Sequence, residues 1–162
     1  TILGPCAAVC LFDPSTSIGG MNHILLPGDG PVTINNSDSR YGITAMELLI
    51  NQMMKLGADR YKLTAKIFGG ASILPTISSE FCMGMRNIEF VVDFLITENI
   101  PILNYNFGGV DSRRIYYHSD TGDVLLKRIK SKEVVMEYSH IRTMRRDVEK
   151  KIKHTTPIIY FD

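Results

Sequence analysis

Long apolar runs are missing from this chain: no stretch approaches the roughly 20 apolar residues that a membrane-spanning helix needs, which argues against direct membrane insertion. Charge excess is missing too. Eighteen Lys and Arg stand against 17 Asp and Glu, a formal net charge of +1, where a nucleic-acid binder usually carries a clear basic surplus. Cysteine is scarce: Cys6, Cys10 and Cys82 form an odd set with no CxxC pair, so neither a disulfide framework nor a zinc ribbon is indicated. Free thiols of this kind fit a reducing cytoplasm. His118, His140 and His154 lack metal-ligand spacing, and no cofactor motif is present. No charged-then-apolar signal segment opens the chain. It begins with Thr1 rather than Met and runs straight into apolar sequence, so the native chain is expected to start earlier.

What remains is an ordinary globular composition, 44% hydrophobic and 22% charged over 162 residues, enough for one domain with a sizeable core. Ala7 to Phe12 reads as a buried strand bounded by Gly4-Pro5 and Asp13-Pro14. Ile18 to Pro27 is a second apolar segment able to pair with it as a hairpin. Residues 28–39 are rich in Gly, Asn, Asp and Ser and read as a loop. The apolar spacing predicts helices over 44–56 and 88–96, and strands over 61–68, 101–106 and 114–118. Asp120-Thr-Gly-Asp123 is a hairpin turn into a strand over 124–129. Val134, Tyr138, Ile141, Met144, Val148 and Ile152 mark an amphipathic helix, with a short strand over 158–161 after Pro157. From Lys127 to His154, ten basic residues face four acidic ones, the pattern of a solvated helix face. The mixed order of elements predicts an α+β fold rather than a regular parallel array.

Chemistry concentrates near the start. Cys6 follows Leu3-Gly4-Pro5 and precedes a strand, a place that exposes a side chain while holding its backbone. His23 lies on the second segment after Gly19-Gly20, where a hairpin would bring it beside Cys6. A thiolate is the reactive form of cysteine, and histidine is its usual base. From the residues alone, two readings stand: a Cys–His catalytic pair, or a buried cysteine and a satisfied core histidine. Cys10, among Val9, Leu11 and Phe12, reads as core, and so does Cys82 beside Phe81. Phe68-Gly-Gly-Ala-Ser72 is a glycine-rich turn after a strand, without the Lys-Ser/Thr of a phosphate loop. Gly108-Gly109 with Arg113 offers a second turn and a cation.

These residues resemble a known family. Leu3-Gly-Pro-Cys6-Ala-Ala-Val-Cys-Leu-Phe-Asp-Pro14 and Ile18-Gly-Gly-Met-Asn-His23-Ile-Leu-Leu-Pro27 are similar to the signature of the chemoreceptor glutamine deamidases, the CheD family. Ala65-Lys-Ile-Phe-Gly-Gly-Ala71, Gly84-Met-Arg-Asn87, Gly108-Gly-Val-Asp-Ser-Arg113 and the Asp120 hairpin agree in order. The resemblance implies a single domain over 1–162, with 132–162 as a helix-and-strand extension, in a layered α/β/β fold shared with deamidating bacterial toxins. It implies hydrolysis of glutamine side chains on chemoreceptor helices to glutamate in the cytoplasm, without a cofactor. Cys6 would be the nucleophile and His23 the base, with Gly69, Gly70, Ala71 and Arg113 as expected substrate contacts. An alternative from the same family is an adaptor that binds and stimulates a CheC-type phosphatase. The family's third catalytic residue is a threonine six places before the cysteine, one position ahead of Thr1. Thr1 itself would point to the opposite face of an extended segment. Three departures stand out: Pro5 where Ser is usual, Asn106 where Asp is usual, and Ser112 where Gly is usual.

Overall fold

The computed structural model describes residues 1–26, 37–72, 83–130, 139–152 and 155–161. Cys82, most of the loop expected over 28–39 and the first turns of the helix expected from 134 lie outside them. The described chain forms an α+β arrangement of two four-stranded sheets and three helices. One sheet has the order β3 (Ile18–Ile24), β2 (Ala7–Asp13), β4 (Thr64–Gly69), β5 (Ile102–Phe107). The other has the order β1 (Ile2–Leu3), β6 (Ser112–His118), β7 (Asp123–Ile129), β8 (Ile159–Tyr160). Helices α1 (Ser37–Lys55), α2 (Met83–Thr97) and α3 (Ser139–Lys151) belong with the first sheet.

The alternation of side chains along β2 sorts two cores. Ala7, Val9 and Leu11 join the helix-side cluster with Met46, Ile50, Met85, Ile88 and Val91. Ala8 and Cys10 join Phe68, Leu3, Ile115, Val124 and Leu126 in a smaller cluster between the sheets. Both faces of β2 are therefore covered, which is why it reads as an unbroken apolar run. Each fully buried aliphatic side chain there contributes about 1.5–3 kcal/mol.

Local chemistry fixes the hairpin that carries the two candidate catalytic residues. Asp13 is buried, and its carboxylate accepts from Ser15 N (2.8 Å), Ser15 Oγ (2.7 Å), Thr16 Oγ1 (2.9 Å) and Asp59 N (2.8 Å). These donors, the Asp59 N–H foremost, hold it well below the usual carboxylate range. Gly19 and Gly20 are strand residues rather than a flexible joint. A Cβ at Gly19 would meet Tyr117 Oη at 2.2 Å, and one at Gly20 would meet Leu49 Cδ1 at 2.6 Å. They admit the second sheet and α1 to close contact.

Two helices begin earlier than the apolar spacing predicts. Helix α1 takes in Gly42, where the ring of Phe90 sits 2.5 Å from the place a Cβ would occupy. That glycine serves packing rather than breaking the helix. Helix α2 takes in Gly84-Met-Arg-Asn87, whose Arg86 and Asn87 are buried polar residues that a hydrophobic stripe does not reveal. The basic residues of α3 are largely paired: Arg145 with Glu149 (3.0 Å), Lys150 with Asp147 (2.9 Å), and Lys151 with Asp93 on α2. Among the described residues, no helix is long and apolar enough to cross a membrane.

Candidate active site

The antiparallel register of β2 and β3 pairs Ala8 with His23, so both project to the inter-sheet side. Cys6 packs against the same inter-sheet cluster as Ala8 and Cys10. It thus lies diagonally across from His23 at the end of the hairpin. No hydrogen bond joins Cys6 to His23 among those of the described residues; catalytic hydrogen bonds often form only once substrate is bound.

Thr1 completes the group. Its Oγ1 lies 3.1 Å from His23 Nδ1, which corrects the expectation that Thr1 faces away. Parity along the chain holds only within one extended segment from residue 1 to residue 6. Instead β1 pairs with β6, Ile2 opposite Arg114 and Leu3 opposite Arg113, and the chain bends through Gly4-Pro5-Cys6 before β2 begins. A contact on Nδ1 leaves Nε2 for the cysteine side. Where the threonine hydroxyl accepts from Nδ1–H, Nε2 holds the lone pair a general base needs.

The bend that presents Cys6 is held by all three of its carbonyls. Gly4 O accepts from Ala71 N (2.8 Å), Cys6 O from Gly70 N (2.8 Å), and Pro5 O from Asn87 Nδ2 (2.9 Å). The glycine-rich turn exists for this purpose. Gly69 has φ +114° and a Cβ there would meet Cys6 O at 2.0 Å, while Gly70 has φ +65° and backs onto Ile88 and Gly84. Pro5 removes an N–H beside Cys6, yet its carbonyl still takes part in the latch.

All four residues expected as substrate contacts have partners of their own in this geometry. The Gly70 and Ala71 N–H groups are consumed by the latch and are not free to meet a substrate oxygen, and Gly69 is pressed against the Cys6 carbonyl. Arg113 is buried, and its guanidinium is spent on the 106–111 turn. Nε donates to Asn106 Oδ1 (2.8 Å), Nη1 to Asp111 O (2.9 Å), and Nη2 to Gly108 O. Burial lowers its pKa to about 10. It is a strut: with Asn106, which donates to Tyr160 Oη at 3.2 Å, it ties the turn to the end of the chain.

Both candidate groups are tuned toward neutrality. Burial pushes the Cys6 thiol up, against a smaller opposing pull from its own backbone N–H. Partial burial lowers His23. The directions of these shifts favour the neutral thiol and the neutral imidazole. Cys10, four residues along, is 2% exposed, and burial pushes its thiol up to about 12. Among the described residues, no group of three or more His, Cys, Asp or Glu is placed to hold a metal.

Comparison with known proteins gives the chain its relatives. The family model described as CheD chemotactic sensory transduction matches residues 25–128, a span that begins just after His23. A probable chemoreceptor glutamine deamidase CheD 1 from Shewanella oneidensis is 46% identical over 133 residues, covering 81% of this chain and 64% of the relative. One of the same name from Dechloromonas aromatica is 45% identical over 129 residues, covering 80% and 64%. A probable chemoreceptor glutamine deamidase CheD from Bordetella avium is 43% identical over 140 residues, covering 83% and 62%. The chain thus spans slightly under two thirds of the length of these curated relatives. Sequence blocks, matched model and relatives agree, and the chain belongs to the CheD family.

Proposed function

We propose that this chain is a chemoreceptor glutamine deamidase acting through a cysteine nucleophile, with 1–162 as its catalytic domain and 132–162 as the helix-and-strand extension. What supports the reading is the arrangement at one end of the β2–β3 hairpin. Cys6 and His23 share a face, and Thr1 bears on His23 Nδ1 at 3.1 Å.

In the proposed cycle, His23 Nε2 takes the Cys6 proton and the thiolate sulfur attacks the carboxamide carbon of a substrate glutamine. His23 returns that proton to the amide nitrogen as the C–N bond breaks, releasing ammonia and leaving a thioester. Water, deprotonated by His23, attacks the thioester carbon, and the C–S bond breaks to give glutamate and the free enzyme. The oxyanion of each tetrahedral stage needs a donor. With Gly70 and Ala71 engaged, the Cys6 N–H beside its own sulfur takes that role, a contribution commonly worth about 3–4 kcal/mol per donor. Thr1 orients the imidazole.

Two sheets with helices against one of them suit the α/β/β layering of the cysteine hydrolases, and the proposed substrate is a glutamine on the cytoplasmic helices of a chemoreceptor. Binding to a CheC-type phosphatase belongs to the same reading as a separate, non-catalytic role. The test is incubation of a receptor cytoplasmic fragment with the protein and with its Cys6→Ala form. Ammonia release with a gain of about 1 Da per site, lost in the variant, supports the deamidase. Release that persists in Cys6→Ala removes the assigned nucleophile, and no release with either protein points to the adaptor or to a different substrate.

A further inference from the structure

Three carbonyls hold the nucleophile bend, but only one of the donors is a side chain. Asn87 lies fully buried on the second turn of α2. Its Nδ2 donates to Pro5 O at 2.9 Å, and its Oδ1 accepts from Leu26 N at 2.8 Å. The orientation of the amide is unambiguous, because Pro5 O can only accept and the Leu26 N–H can only donate. One side chain therefore spans the two segments that bear the reacting groups: Pro5 directly precedes Cys6, and Leu26 follows His23 by three residues.

We propose that Asn87 is a positioning residue for the Cys6–His23 pair, a clasp that fixes the nucleophile bend and the end of β3 at one separation. The inference rests on the deamidase reading. Its physical content goes beyond spacing. The Pro5–Cys6 peptide is planar, so its N–H points opposite to its C=O. By holding the Pro5 carbonyl, Asn87 also aims the Cys6 N–H, the donor assigned to the oxyanion. The site requires one donor and one acceptor a fixed distance apart on a short side chain, which asparagine supplies and alanine or aspartate does not. Aspartate keeps the acceptor for Leu26 but turns a second acceptor toward the Pro5 carbonyl.

The test separates positioning from simple support. Wild type, Asn87→Ala, Asn87→Asp and Val91→Ala are compared, the last being a buried apolar α2 residue one turn on from Asn87 that makes none of the clasp's hydrogen bonds. Two quantities are read: kcat and KM on a receptor fragment, and the iodoacetamide alkylation rate of Cys6 with and without His23→Ala. In the wild type, His23→Ala slows alkylation on the order of tenfold, and in either Asn87 variant by less than about twofold. The Asn87 variants lose about 10- to 100-fold in kcat with KM within about twofold, while Val91→Ala melts earlier yet keeps both properties. Asn87→Asp, which preserves the side-chain shape, decides the matter if the alanine form does not fold. Unchanged kcat and unchanged His23 dependence in a folded Asn87 variant overturn the clasp alone. An equal loss in Val91→Ala overturns it as well. Wild-type alkylation that ignores His23, with ammonia release surviving Cys6→Ala, overturns the deamidase reading and the clasp with it.

Discussion

Cys6 and Cys10 lie four residues apart and face the same side of the same hairpin, yet they are different chemical objects. Cys10 sits mid-strand between two sheets, where desolvation by burial drives its thiol to about 12 in spite of the Lys66 charge nearby. Cys6 stands before the strand begins, on a bend that leaves it only partly covered, on the same side of the hairpin as His23, whose pKa partial burial lowers. The difference owes nothing to the residue type and little to the face. It comes from where the sheet ends, and from the latches that stop the bend from collapsing into the core.

The largest effect that could break this contrast is on turnover. Cys6→Ala is expected to lower ammonia release from a receptor fragment by on the order of 10³-fold or more. Cys10→Ala, a small cavity in the inter-sheet core, should leave release within about threefold and cost about 1 kcal/mol in urea unfolding. Loss of activity in Cys10→Ala without loss of stability would make the buried thiol a participant.

A second variant probes the bend rather than the sulfur. Gly69→Ala places a methyl 2.0 Å from the Cys6 carbonyl at a φ of +114°. It should lower kcat by about 100-fold and shift the thermal melt down. A methyl there tolerated at full activity would mean that the bend need not be held. Arg113, buried among acceptors of the 106–111 turn, should behave differently: Arg113→Met costs about 2–4 kcal/mol of stability without a specific change in KM.

The smallest expected effect concerns His23. Thr1→Val removes the hydroxyl from Nδ1 and should lower kcat by up to about tenfold. Because partial burial lowers His23, the imidazole stays neutral at pH 7. Activity should fall only as pH drops through a value below the ordinary histidine pKa of about 6.5. An acid limb above that ordinary value would contradict the electrostatics assigned to the pair.

Much of this was legible in the sequence. The hairpin, the alternating strands and the amphipathic stripe of α3 follow from period and punctuation, and Cys6 and His23 stand out by type and place. The rest was hidden for identifiable reasons. Strand β1 is two residues long, too short for any period, and without it the parity of Thr1 comes out wrong. The opening of α2 interrupts its apolar stripe with Gly84, Arg86 and Asn87, so neither its helicity nor the clasp by Asn87 shows in an apolar pattern. Arg113 and the Gly69-Gly70-Ala71 turn looked like groups waiting for a ligand. Their donors are claimed by carbonyls of sequence-distant residues, and only tertiary pairing shows that.

The most direct test of the account is to trap the acyl-enzyme. The protein is mixed with a receptor cytoplasmic fragment, quenched in acid within the first turnover and mapped by peptide mass. The prediction is a receptor glutamyl thioester on the peptide bearing Cys6, short of the free amide by the mass of one ammonia and absent from Cys6→Ala. A thioester on Cys10 or Cys82, or ammonia released with no covalent intermediate at Cys6, would contradict it.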